Sequence, residues 1–253
     1  MIMTTYKGTV GTAVVNYAGN YPGAVEGELW YDSTNKDFKY QFPNVTAAGS
    51  WRTGGNLNVA RYRNAGNGTK EAGLDFGGEG TPSTPFSGRL ALTESYNGST
   101  WTELNDLNTA IIDHAGAGTT TSGLSFGGEL SPGETGETES WNGTNWTEVN
   151  DLNTSRDFIA GCGATGTAAL AFAGEINPTT TTAATETWNG TNWTEVNDLN
   201  DSRDNVAGTG EYTAGLAVGG STGSPTNASA ETWNGTNWTE ISDVNTARAA
   251  GGA

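Results

Sequence analysis

Five tryptophans, Trp51, Trp101, Trp146, Trp193 and Trp238, recur at intervals of 50, 45, 47 and 45 residues in a single frame. From the second onward the frame reads Thr-Glu-[Ser/Thr]-[Tyr/Trp]-Asn-Gly-[Ser/Thr]-[Thr/Asn]-Trp-Thr-Glu. It fills 93–103, 138–148 and 185–195, and returns at Glu231–Glu240 without the leading Thr. A period in the forties means one supersecondary unit copied along the chain, and each copy must bury its apolar surface against a neighbouring copy. Repetition therefore restricts the fold before any local assignment is made.

Each unit divides into four strand-like pieces. In the second full unit these are Ile111–Gly118, Ser122–Gly128, Glu137–Trp141 and Asn145–Val149. An Asn-Gly pair, at Asn97, Asn142, Asn189 and Asn234, separates the last two pieces and marks an antiparallel hairpin. No segment carries a helical apolar period with caps, so the chain is expected to be all-β. The second pieces end on an apolar residue and two glycines, at Phe76-Gly77-Gly78, Phe126-Gly127-Gly128 and Val218-Gly219-Gly220; Phe172-Ala173-Gly174 departs from this. After the fourth piece comes an Asp-[Leu/Val]-Asn turn and then Arg, at Arg156, Arg203 and Arg248, with Arg61 in the first unit and Ile111 replacing Arg in the second.

Four strands, a Gly-Gly, an aromatic, a Trp and an Arg in this order resemble the Kelch motif of β-propellers, over roughly residues 51–253. The resemblance implies four-stranded antiparallel blades around an axis. Its Trp and Tyr/Trp rings would pack between blades, and its Arg would stitch one blade to the next. Complete blades are expected at about 61–104, 111–149, 156–196 and 203–241. A fifth would be composite. The N-terminal pieces 27–32 and 37–42, turned at 33–36, and the strand at Trp51 would join a C-terminal strand from Arg248–Ala253, leaving no open edge. The propeller then spans 26–253. Residues 1–25, with alternating Val10, Ala13 and Val15, are either one more edge strand or an arm that attaches to another protein.

The chain has 11 basic and 28 acidic residues, a net charge of −17. That charge repels nucleic acid and anionic membranes, and no stretch is apolar enough for membrane insertion. The acids recur singly at repeat positions rather than in loops with calcium-ligand spacing, so they are read as solubilising, with no metal expected. The repeat-locked Glu103, Glu148, Glu195 and Glu240 are read as solvated strand positions. Cys162 is the only cysteine, so no internal disulfide is possible; it and the only histidine, His114, fall in apolar first pieces. No nucleophile elbow accompanies the lone His114 to mark a Ser-His-Asp set, no Cys/His cluster suits zinc, and a single His cannot supply the copper site of Kelch-like galactose oxidases. The Gly-rich runs lack the Lys-[Ser/Thr] of a phosphate loop. No catalytic residue and no cofactor is expected, and the chain is read as not an enzyme.

What varies between units is the loop from the second piece to the third: Glu79–Leu92, Glu129–Gly136, Glu175–Ala184 and Ser221–Ala230. Variable loops on a fixed frame are the usual form of a binding surface. The candidate contacts are Phe86, Arg89, Pro132, Glu134, Asn177, Pro178 and Asn227. The residues of the structural repeat are Trp51, Trp101, Trp146, Trp193, Trp238, Arg61, Arg156, Arg203 and Arg248. Trp141, Trp188 and Trp233 either stack on sugars, as in tachylectin-like five-bladed propellers, or form core; scarcity of other large apolar residues favours core.

The start of the chain has no apolar signal-peptide region. The segment Gly27-Glu28-Leu29-Trp30-Tyr31-Asp32-Ser33-Thr34-Asn35-Lys36-Asp37-Phe38-Lys39-Tyr40 resembles a short stretch common in phage tail and fibre proteins, and the repeats resemble Kelch-like units of marine bacteriophage structural proteins. These resemblances imply a virion structural protein of tail or capsid, present in several copies or as a homo-oligomer. Its partners would be other virion proteins and a host-surface glycan. The alternative is a free propeller lectin or protein-interaction module of bacterial origin.

Overall fold

The computed structural model describes residues 6–7, 13–18, 29–40, 54–81, 88–223 and 226–249; Trp51, Phe86 and most of the segment after Arg248 lie outside them. The chain forms two compact units, Met1–Thr53 and Gly54–Ala253. No helix occurs among the described residues.

The second unit holds four four-stranded antiparallel sheets, a propeller-like arrangement with one sheet per repeat. Sheet I comprises Ala65–Thr69, Ala72–Phe76, Thr93–Tyr96 and Trp101–Glu103. Sheet II comprises Ala115–Thr119, Ser122–Phe126, Thr138–Trp141 and Trp146–Glu148. Sheet III comprises Ala160–Thr165, Ala168–Phe172, Thr185–Trp188 and Trp193–Glu195. Sheet IV comprises Ala207–Glu211, Ala214–Val218, Ala230–Trp233 and Trp238–Ile241. First strands begin about four residues later than the sequence pattern suggests, because Arg63, Asp113, Phe158 and Asn205 take positive φ and break the extended run.

The Asn-Gly turns work differently from a two-residue hairpin. Trp141 pairs with Trp146, so four residues form the loop. Only the glycine, Gly143 at φ 90°, is left-handed. Asn142 instead accepts the Thr144 and Asn145 amides on its Oδ1, each at 2.9 Å.

Each pair of neighbouring sheets closes over its own apolar cluster. Between sheets II and III this contains Leu124, Phe126, Ile159, Trp188 and Trp193. Trp146, Trp193 and Trp238 carry the joint. Their rings lie 4.8, 4.9 and 4.9 Å from Phe76, Phe126 and Phe172 of the preceding sheet. Their Nε1 atoms donate to Thr93, Thr138 and Thr185 Oγ1 of that sheet at 2.9, 3.0 and 3.0 Å. Trp141, Trp188 and Trp233 are buried beside them, so these rings are core and offer no sugar-stacking face. Trp101 differs: its Nε1 donates to Gly55 O, and its ring is only half-buried.

Adjacent first strands approach so closely that alternate positions must be glycine. A Cβ at Gly116 would lie 2.7 Å from Phe76 Cζ, and one at Gly208 only 2.8 Å from Phe172 Cζ and 2.9 Å from Gly161 O. Gly208→Ala is therefore expected to cost about 1–3 kcal/mol by overpacking, measured by denaturant melts. Gly133→Ala is the control, since a Cβ there meets nothing within 4 Å.

The Asp-Leu-Asn turn locks consecutive repeats together. Asp151 Oδ1 accepts the Thr138 amide of its own sheet at 3.1 Å, and Leu152 is buried. Asn153 donates its backbone N and its Nδ2 to Glu186 Oε2 of the next sheet, both at 2.8 Å. The Arg that follows links both neighbours. The Arg203 carbonyl accepts Gly174 N of sheet III, while its guanidinium sits at 2.6 Å from Glu231 of sheet IV. Arg61 and Arg156 meet Glu94 and Glu186 in the same way. Ile111 leaves Glu139 with only the amide and side-chain donors of Asn108 and the Thr109 amide.

In the first unit, Leu29–Asp32 and Asp37–Tyr40 form the expected hairpin, with Asp32 Oδ1 accepting the Thr34 amide at 2.9 Å. Of the two readings of residues 1–25, the described residues follow the added edge strand. Ala13–Tyr17 pairs parallel with Leu29–Asp32, and Tyr6–Lys7 pairs with Ala13–Tyr17. The edge that a composite blade reserves for a C-terminal strand is thus taken from residues 1–25. The division falls after Thr53 rather than after residue 25, because these pairings tie the two segments into one sheet.

Candidate functional site

At one end of each repeat sheet the second strand runs out through Gly-Gly, or Ala173-Gly174 in the third repeat, into a short ribbon. The ribbon pairs with the segment that precedes the first strand. Glu79–Gly80 lies between Arg61–Tyr62 and Gly88–Arg89. Glu129 bridges Ile112 and Glu134; Glu175 meets Asp157 and Thr181; Ser221 meets Asp204 and Thr226. The four variable loops therefore leave the repeat sheets in the same direction, since every repeat keeps the same strand order. The left-handed turns join neighbour to neighbour beneath them: Asp113 N donates to Arg63 O, and Asn205 N to Phe158 O, each at 3.1 Å.

These turns carry the least repetitive residues of the frame, Arg63, Asp113, Phe158 and Asn205, and they make this end electrostatically uneven. Arg63 contacts Asp113 and lies 3.3 Å from both Glu79 and Glu129. Its guanidinium carbon sits 5.6 Å from the Phe158 ring centroid, within cation–π range. Arg89 contacts Glu129. Asp157 is buried beside this group, and burial, reinforced by the charges of Glu134 and Glu129, pushes its carboxyl up to about 6. Glu175 is pushed up to about 7, by desolvation first and then by its hydrogen bond to Asp204.

The sequence-predicted contacts separate here. Arg89 and Glu134 both flank Glu129, one by ion pair and one by backbone bridge. Pro132 is exposed at the tip of the same loop. Asn177 and Pro178 form the tip of the third ribbon, where Asn177 Oδ1 accepts the Thr179 amide at 3.2 Å. Asn227 belongs to the frame instead. Its Oδ1 accepts the Ser229 amide at 2.8 Å, and its carbonyl accepts the Arg248 amide at 3.1 Å. Phe86 lies outside the described residues. Arg63, Asp113, Glu129 and Asp157 were not singled out from the sequence. The available signal was variation of the 63/113/158/205 position within an otherwise repeated frame.

Away from the ribbons, the first strands line a cavity of about 360 Å³. Its walls are backbone and small side chains, including Asn67, Thr119, Cys162 and Thr209. Burial pushes the Cys162 thiol up to about 12, so it is not a nucleophile near neutral pH. Burial also lowers His114 to about 3, leaving it neutral; its ring lies 5.6 Å from that of Phe76, tilted by 48°. Glu103, Glu148, Glu195 and Glu240 are exposed, as expected.

No protein-family model matches the chain, and no curated protein shows significant similarity to it.

Proposed function

We propose that this chain is a non-enzymatic recognition scaffold of a bacteriophage particle, in tail or capsid, that meets the host surface or its glycans through the ribbon loops. The observation that supports this most is the segregation of variation: loops of different length and sequence leave one end of sheets whose Trp, Asn, Glu and Gly contacts repeat almost unchanged. The phage-like Gly27–Tyr40 stretch supports the particle origin.

The same reading takes the propeller as five-bladed, the fifth blade coming from the N-terminal unit, where Ala13–Tyr17 takes the place expected for the strand from Arg248–Ala253. Two features support it. Arg248 repeats the backbone bonds of its counterparts, accepting Gly220 N at 2.8 Å and donating to Asn227 O at 3.1 Å. The first strands pack in series from sheet I to sheet IV, with no comparable packing of sheet IV's first strand against that of sheet I among the described residues.

The test is binding to host cells or a glycan array by wild type and by chains with altered loops. Replacing Arg89 together with the Pro132–Glu134 loop is expected to weaken attachment about tenfold or more, with little change in melting temperature. Unchanged attachment by a folded loop variant would remove the recognition role.

A further inference from the structure

A possible ligand oxygen from each of Asp113, Glu129 and Asp157 lies within 4.8 Å of the other two. Asp113 and Glu129 come from the second repeat and Asp157 from the third. Clusters of this kind are common on acidic proteins and carry no meaning alone. The second observation concerns Asp157. Only 5% of its surface is accessible, and its Oδ1 has no hydrogen-bond partner among the described residues. Arg63 engages Asp113 and Glu129, and Arg89 engages Glu129, so the two guanidiniums leave the Asp157 carboxylate without an ion pair. A buried carboxylate oxygen without a hydrogen-bond donor is a costly arrangement; Asp204 Oδ1, at the matching position of the next repeat, shares it, but only Asp157 faces two further carboxylates.

We propose that Asp113, Glu129 and Asp157 bind one hard divalent cation of the calcium type, with Asp157 as the anchoring ligand. The spacing fits. Oxygens bound to one ion at about 2.4 Å lie at most about 4.8 Å apart. All three ligands are carboxylates, which suits calcium or magnesium rather than a softer metal. The partly exposed Glu129 side chain leaves room for water, which favours the flexible coordination of calcium over the strict octahedron of magnesium. Arg63 opposes the ion. Glu134 and Glu175 on the adjoining ribbons favour it, so the local balance stays negative. Opposition from Arg63 places the affinity in the weak range of extracellular calcium sites, on the order of 0.1–1 mM. Once bound, the ion ties the second ribbon to the third repeat's turn.

The experiment uses the full chain stripped of metal, at pH 7.5 and constant ionic strength. About 10 mM CaCl2 is expected to raise the Tm by roughly 3–10 °C, with a smaller rise in MgCl2 and one site by titration calorimetry. The proton competes for the same oxygens. The calcium response should therefore weaken as the solution is acidified. Asp157→Asn removes both the ligand and the unpaired charge. It should abolish the calcium response and, without calcium, melt at or above wild type. A wild-type Tm indifferent to calcium at pH 7.5, with Asp157→Asn melting higher, would mean that Asp157 is simply held protonated and would overturn the site. An equal calcium shift in both proteins would reduce it to screening of surface charge and also overturn it. Should the Asn variant fail to fold, Glu129→Gln and the wild-type stoichiometry decide in the same way.

Discussion

Trp193→Ala will lower the unfolding free energy by about 3–5 kcal/mol, the range for deleting a large buried ring. The indole is 5% exposed and wedged between Phe126 of the preceding sheet, at 4.9 Å, and Trp188 of its own, at 5.3 Å. Its removal opens a cavity in the joint between sheets II and III and strips Thr138 Oγ1 of its buried donor. Sheets joined mainly through such wedges cannot close the gap by moving one side chain. Trp101→Ala is the internal comparison. Its ring is half-buried and bonds only Gly55 O, so the loss should be clearly smaller. Chemical denaturation of the two variants reads the difference, and equal losses would refute the wedge.

Arg203→Ala should cost a similar amount, about 3–5 kcal/mol, for an electrostatic reason. Breaking one half of a buried ion pair leaves the other charge stranded. Arg203 and Glu231 are both almost fully buried and 2.6 Å apart, and the guanidinium also donates to Gly219 O and Ser229 O. Glu231 would keep only the Asn200 amide and side-chain donors. Repeat II shows a milder route. Ile111 fills the same position, and Glu139 is held by Asn108 and Thr109 alone. Arg203→Ile, which refills the space, is therefore expected to lose roughly half as much as Arg203→Ala. Denaturant melts of both variants test this ordering, and an alanine variant as stable as wild type would show the pair to be dispensable.

Much of the architecture was legible in the chain itself. Repetition is a statement about neighbours: a unit copied every 45–50 residues can only bury its rings against the next copy. Trp146, Trp193 and Trp238 therefore announced the joints, and Asn-Gly announced the hairpins. Alternation failed where both faces of a sheet are covered. Thr138 and Glu139 are successive and both buried, because one meets Trp193 of the next repeat and the other receives Asn108 of the preceding linker. Two glutamates per frame look alike in sequence, yet Glu186 is buried on Arg156 and Glu195 is exposed. Strand pairing of residues 1–25 was equally unreadable, since a short apolar alternation fixes neither partner nor direction. The acidic cluster was decided by tertiary structure alone. Glu129 and Asp157 stand at positions that recur as Glu79, Glu175 and Asp204, and only Asp113 is particular to its repeat; the three meet because the left-handed turn of one repeat lies against the ribbon of its neighbour.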